Sequence, residues 1–219
     1  MATDKKKRYT MGEEIFNSIS HGVSALGAVV GCSVMVTLAA CFGNGKAILS
    51  SLVFGLALIV MYTMSTLYHA FPFEKVKKIF RIFDHSSIPL LIAGSYTPFC
   101  IIALKGNIKG IIVVAVVWLC ALVSILLNVI NLDKFEKLNL ALYIFMGWAA
   151  LFALKDIAIA LPKNGFILLA AGGIAYTVGI LFYKMTKIPY MHSVWHLFVT
   201  LGSVFHYLCV IIYVLPMTY

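Results

Sequence analysis

The sequence predicts an all-α integral membrane protein, a bundle of seven transmembrane helices with a cytoplasmic N-terminus and an extracytoplasmic C-terminus. Three observations lead there. Of 219 residues, 62% are hydrophobic and only 11% are charged, against about half and about a quarter in an ordinary soluble domain. The mean hydropathy is +1.00. The apolar residues fall in long unbroken runs, which fits helices that satisfy their own backbone hydrogen bonds in lipid and does not fit the short alternating segments of a β-barrel.

A span needs roughly 20 mostly apolar residues. Runs of that kind lie near residues 18–41, 47–70, 86–104, 110–131, 138–157, 165–183 and 190–214. The joining segments are short, so residues 1–219 read as one membrane domain with a basic tail at 1–13. Glu13, Glu14 and Asn17 separate that tail from the first apolar run, which lacks a small-residue cleavage site and reads as a retained span. Gly27-x-x-x-Gly31 in the first run predicts a close helix approach. In the third, Pro89 falls near the helix start, where proline is tolerated, and Pro98 predicts a kink whose freed carbonyl the hydroxyls of Ser95-Tyr96-Thr97 re-satisfy. Phe71–Phe83 mixes aromatic and basic residues and predicts a short amphipathic piece at the cytoplasmic interface.

Charge sets the orientation. The N-terminal tail (Lys5, Lys6, Lys7, Arg8) and every second connection (Lys75, Lys77, Lys78, Arg81; Lys134, Lys137; Lys184, Lys187) carry twelve of the 17 basic residues. Lys46, Lys105, Lys109, Lys155 and Lys163 are the five on the other side. Positive-inside places the first group in the cytoplasm, on the inner face of a cell membrane. The net charge of +9 is therefore topological and does not indicate nucleic acid. The five cysteines lie in or beside apolar runs without a CxxC pair, and read as small buried hydrophobes.

With that orientation, the polar residues of three spans share one shallow layer of the inner leaflet. Ser65 and His69 end the second span, Asp84 and His85 begin the third, and His192 and His196 begin the seventh. Two histidines four apart project from one helix face. Three histidines with an open fourth position form the common catalytic zinc arrangement. We expect His69, His192 and His196 as ligands of Zn²⁺, with Asp84 as a fourth ligand or as the base that holds a water. Ser65, one turn from His69, is placed to bond that water or an oxyanion. His85 points away from Asp84 and takes at most a supporting role. Glu14, Asn17 and His21 share a face of the first helix, and His21 is placed to orient a ligand or complete a proton path. His206, ten residues beyond His196 and roughly 15 Å deeper, is too remote for the same ion and is expected to line an interior cavity or pair with a hydroxyl.

At these residues the sequence resembles the hemolysin III family, the bacterial branch of the progestin and adipoQ receptor group. The text that carries the resemblance is Glu14-x-x-Asn17-x-x-x-His21, Ser65-x-x-x-His69, the run from Ile82-Phe-Asp84-His85 to Pro98-Phe, and His192-x-x-Trp195-His196 with Gly202-Ser-x-x-His206. The resemblance implies seven helices with the N-terminus inside, a zinc site on these residues, and kinship with proposed membrane hydrolases that include alkaline ceramidases. The expected function is thus a zinc-dependent hydrolase of a lipid amide or ester, with membrane lipids as partners. The alternative is a non-enzymatic pore-forming or membrane-regulating protein with a structural zinc. A retinal photoreceptor is disfavoured, because no lysine lies between Pro189 and Tyr219 to form a Schiff base.

Overall fold

The computed structural model describes residues 9–219, and the basic tail Lys5–Arg8 lies outside them. The described chain is helical: α1 (Met11–Phe42), α2 (Gly45–Ala70), α3 (Glu74–Pro98), α4 (Ile108–Trp148), α5 (Leu154–Ala160), α6 (Lys163–Lys184) and α7 (Met191–Cys209). π-Helical turns at Phe99–Ala103 and Val210–Val214 extend α3 and α7, and a 3₁₀ turn at Ala149–Ala153 joins α4 to α5. Six of the resulting helical segments are long and apolar enough to cross a membrane. Their outward faces carry exposed Leu26, Leu119, Ile130, Ile159 and Ile174, the surface expected against lipid.

The first helix starts earlier than its apolar run. Thr10 caps it, accepting from the Glu13 N–H at 3.3 Å, while the Glu13 carboxylate accepts from the Thr10 N–H at 2.8 Å. This reciprocal pair is a capping box. Residues 11–13, read from sequence as tail, are therefore the first turn of α1.

The fourth and fifth apolar runs fall in one helical segment, Ile108–Ala160, of 53 residues. A straight helix of that length would measure about 80 Å, far more than a bilayer. It is not straight. Asn131 has φ −166° and ψ 93°, and its side chain accepts from the Lys134 N–H at 3.0 Å. Asn131 thus ends one helix and caps the next. Beyond it the chain folds back. Ser124 Oγ donates to Asn139 Oδ1 at 2.7 Å, Asn139 Nδ2 to Asn128 Oδ1 at 2.8 Å, and Asn128 Nδ2 to the Tyr143 hydroxyl at 3.3 Å. Residues fifteen apart on one straight helix would be separated by about 22 Å. Arg81 holds the turn through Asp133 at 2.7 Å.

Four local expectations are corrected. The Phe71–Phe83 stretch is not a separate interfacial piece, because α3 runs unbroken from Glu74. Pro89 consequently sits deep inside α3, not near its start. Lacking an N–H, it leaves the carbonyl of His85 without a helical donor, and the Tyr143 hydroxyl supplies one at 3.1 Å. The hydroxyls before Pro98 do not serve the carbonyl that Pro98 frees, that of Gly94. Ser95 donates to Ile92 and Thr97 to Ala93. The Gly27/Gly31 pair is also not one tight face: Gly31 abuts the Tyr207 ring, whereas nothing lies within 4 Å of a Cβ built on Gly27.

The bundle is closed by α1 packing on both α2 and α7. Its seam with α7 is polar and regular. Ser193 donates to Asn17 Oδ1 at 2.6 Å, Ser20 Oγ lies 3.5 Å from His196 Nδ1, the Ser24 and Thr200 hydroxyls are 2.9 Å apart, and Tyr207 donates to the Gly31 carbonyl at 3.3 Å. Each pair is 176 residues apart. A constant offset, and not a constant sum, means the two helices run parallel and in register.

The cap at Asn131 gives a direct test. Asn131→Ala is expected to lower stability by roughly 1 kcal/mol, seen as a lower midpoint of thermal unfolding in detergent, while Asn131→Asp keeps the cap. Equal midpoints for the alanine variant and the parent would show that the break is held by other contacts.

Candidate metal centre

Two helices deliver the three histidines. His69 closes α2, and His192 and His196 occupy the first two turns of α7. One nitrogen from each lies within 4.8 Å of the others. The Nε2 atoms of His192 and His196 are 3.2 Å apart. Ligand nitrogens of a tetrahedral ion with Zn–N of about 2.0–2.1 Å are about 3.3 Å from each other, so this pair already has the necessary spacing.

The hydrogen-bond partners settle which nitrogen is bare. His69 Nδ1 donates to Glu14 Oε2 at 2.6 Å, and the other Glu14 oxygen accepts from Lys77 Nζ at 2.6 Å. A carboxylate only accepts, so Nδ1 carries the hydrogen and Nε2 of neutral His69 presents a lone pair. Among the described residues, that buried Nε2 has no hydrogen-bond partner. His196 is arranged alike. The Ser20 hydroxyl donates to the Asn17 carbonyl at 3.0 Å, so towards His196 Nδ1 it is an acceptor. The Nε2 of His196 is again left as the bare nitrogen. A buried imidazole whose outer nitrogen is anchored on a carboxylate and whose inner nitrogen is unpaired has the form of a metal ligand with its supporting shell. The donor set therefore fits a Zn²⁺ ion.

The other expected residues surround this group. His21 lies face to face with His196, ring centroids 3.6 Å apart and planes 10° from parallel. Ser65, Asp84 and His85 line the adjoining cavity. The tight nitrogen group does not include Asp84, whose Oδ2 lies 3.5 Å from His85 Nδ1. His85 Nδ1 also donates to the Arg81 carbonyl at 2.9 Å, which turns the ring towards the start of α3. His206 lies on α7 at the other end of the cavity.

That cavity has a volume of about 380 Å³, within the range of small-ligand sites. It begins at the histidines and Asp84 and passes apolar residues such as Met61, Leu91 and Phe99. Ile144, Leu151 and Ile174 both line it and are exposed on the outer surface. The cavity therefore reaches the lipid-facing side between the second half of α4 and α6.

Four contributors were not singled out in the sequence. Tyr9 stacks on His192 at 4.8 Å between ring centroids and meets His69 edge-on at 5.6 Å, covering one side of the group. Lys77 reads in the sequence as orientation charge within the Phe71–Phe83 stretch, and Ser20 and Ser193 have no assigned role there. The i,i+3 spacing of Asn17 and Ser20 carried a signal, since it places both on the Glu14 face of α1; Tyr9 carried none.

The fold and site define a polytopic helical membrane protein with a histidine cluster buried near one end of its bundle. The Haemolysin-III related family matches residues 9–207 of the sequence, and the chain belongs to that family. It is 40% identical to hemolysin-3 of Bacillus cereus over 216 residues, covering 98% of each chain. It is 39% identical to a hemolysin-3 homolog of Bacillus subtilis (strain 168) over 205 residues, covering 94% of this chain and 96% of the relative. A more distant similarity, 25% over 205 residues, links it to the human monocyte to macrophage differentiation factor, covering 90% and 83% of the two chains.

The Tyr9 ring supplies a prediction. Tyr9→Ala is expected to raise several-fold the rate at which diethyl pyrocarbonate modifies His69 and His192, read by peptide mass spectrometry. Unchanged rates would show that the ring shields neither.

Proposed function

We propose that the protein is a zinc-dependent hydrolase of a lipid amide or ester, working at the cytoplasmic end of a seven-span bundle in the bacterial plasma membrane. The observation that carries the reading is the cluster of buried His69 and His196 with half-buried His192, with anchored Nδ1 atoms on His69 and His196, opening onto an apolar cavity that reaches lipid.

Seven spans are supported by two features of the chain. The fold-back at Asn131 divides Ile108–Ala160 into two antiparallel runs, each of which matches one apolar run of the sequence. The parallel seam of α1 and α7 requires an odd number of alternating crossings. With the twelve basic residues of the tail and alternate connections inside, the N-terminus is cytoplasmic and the C-terminus extracytoplasmic.

Zn²⁺ held by His69, His192 and His196 would supply a Lewis acid and acidify a water in the open position. The chain's own groups do the rest. Asp84, outside the nitrogen cluster but at the same end of the cavity, is the group that takes up a proton there and returns it to the leaving group. The Ser65 hydroxyl donates to the developing oxyanion. Glu14, held by Lys77, keeps His69 in the ligand tautomer. The cavity takes the acyl chain from the bilayer between α4 and α6, so an insoluble substrate need not enter water. The name of the Bacillus cereus relative raises a lytic role, but the apolar lining favours an acyl chain over a water-filled pore.

The test is release of fatty acid from N-acyl and ester lipids by purified protein, stripped of metal and then restored with zinc. Release is expected only with metal, and Asp84→Asn is expected to lose about 10²- to 10⁴-fold. Glu14→Gln should need about 10- to 100-fold more free zinc for recovery. Folded protein that binds one zinc per chain and releases nothing from either class would contradict the hydrolase reading.

A further inference from the structure

Helix α6 presents three distinct faces. Gly165, Gly172 and Gly179 are pressed against α7, where an added Cβ would crowd Tyr213, His206 and Trp195 in turn. Ile167, Ile174 and Leu181 are exposed and face outward. Phe166, Ala170, Gly173, Thr177 and Ile180 line the cavity. Members of the first two sets are seven residues apart, and those of the third alternate by four and three, which is the repeat of one helix face. Gly173 therefore sits at the centre of the cavity face, and a Cβ built on it meets nothing within 4 Å.

The opposite wall repeats the pattern. Leu140, Ile144 and Gly147 line the cavity from the second half of α4. Gly147 is exposed, and a Cβ on it also meets nothing within 4 Å. Glycine weakens a helix. At Gly165, Gly172 and Gly179 close packing on α7 offsets that cost. At Gly147 and Gly173 no such packing exists, and what the missing side chains leave is space on both walls of the lipid-side opening. The height of the opening follows from Gly172, whose Cβ would lie 3.1 Å from the Gly202 carbonyl. Gly202 is six residues after His196, about 9 Å along α7. At the same height the rings of Tyr176 and Phe99 close on His206, 5.4 and 6.1 Å between centroids, and crowd the way to the far end. A chain held at the metal cluster thus meets the opening first.

We infer that Gly147 and Gly173 keep open a side window through which the acyl chain passes, so that its far end stays in the bilayer and the site sets no upper limit on chain length. The two glycines are then specificity-determining positions. A side chain at either one closes the window and leaves a pocket that holds only chains ending short of it. The inference rests on the reading of the cavity as an acyl-chain site, but not on turnover.

The test is equilibrium binding of straight-chain fatty acids, from octanoic to docosanoic, to the full-length protein in nanodiscs of fixed composition. Each variant is compared with the parent for the same acid, which cancels partition into the bilayer. The parent is expected to bind docosanoic acid at least as well as octadecanoic acid. Gly173→Phe and Gly147→Phe should bind octanoic acid as the parent does and lose about tenfold or more for the two long acids, the effect of forcing a chain past an intruding ring. Gly173→Leu should show a smaller loss of the same kind, and it keeps the test open if a phenylalanine variant fails to fold. Ile167→Phe, on the lipid face of α6, should match the parent throughout. A parent that rejects docosanoic acid, leucine and phenylalanine variants that bind long acids as the parent does, or a uniform loss at every chain length would each overturn the inference. Failure of the parent to bind any of the acids would overturn the acyl-cavity reading itself.

Discussion

The structure depends on the seam between its first and last long helices. In a bundle surrounded by lipid, polar side chains must find their partners inside the protein. Asn17, Ser20 and Ser24 of α1 find theirs on α7 in a ladder of constant offset. That ladder fixes the rotation and height of α7 to within a side chain. It thereby fixes where His192 and His196 point. The same face of α1 carries Glu14 across to His69 on α2. One helix thus aligns histidines from two others, and the remaining spans supply the cavity walls.

The seam also explains why the polar residues of α1 matter more than their distance from the chemistry suggests. Glu14 is tied on one oxygen to His69 and on the other to Lys77. A charge at this depth is expensive unless it is compensated. The lysine offsets the carboxylate, and the carboxylate in turn orients the imidazole. Removing the charge of Lys77 alone would therefore be felt at His69 without touching it. The Tyr9 ring adds an aromatic cover over His192 and His69.

Much of this was legible in the sequence, for a physical reason. Long apolar runs report directly on partition into lipid, so the membrane-spanning helical class followed without coordinates. The i,i+4 spacing of His192 and His196 reports directly on a helix face. What was not legible depends on partners from distant chain segments. Pro89 looked harmless because the apolar run seemed to begin just before it; the helix begins at Glu74, and the freed His85 carbonyl is met by Tyr143 from another helix. Asn131 reads as one more polar residue near a loop, yet it is the cap at which the chain turns back. The bonds among Ser124, Asn128 and Asn139 needed the fold-back before their i,i+4 spacings acquired a meaning. The side of His69 that faces Glu14, and so the nitrogen left bare, was beyond any one-dimensional pattern.

The central claim is that His69, His192 and His196 hold one zinc ion through nitrogen, with the fourth position open. X-ray absorption at the zinc edge of purified protein tests this most directly. The account predicts a first shell of three imidazole nitrogens and one further light atom, at about 2.0–2.1 Å, with no sulfur. A shell containing sulfur at about 2.3 Å, or one without the outer-shell scattering of imidazole rings, would contradict it.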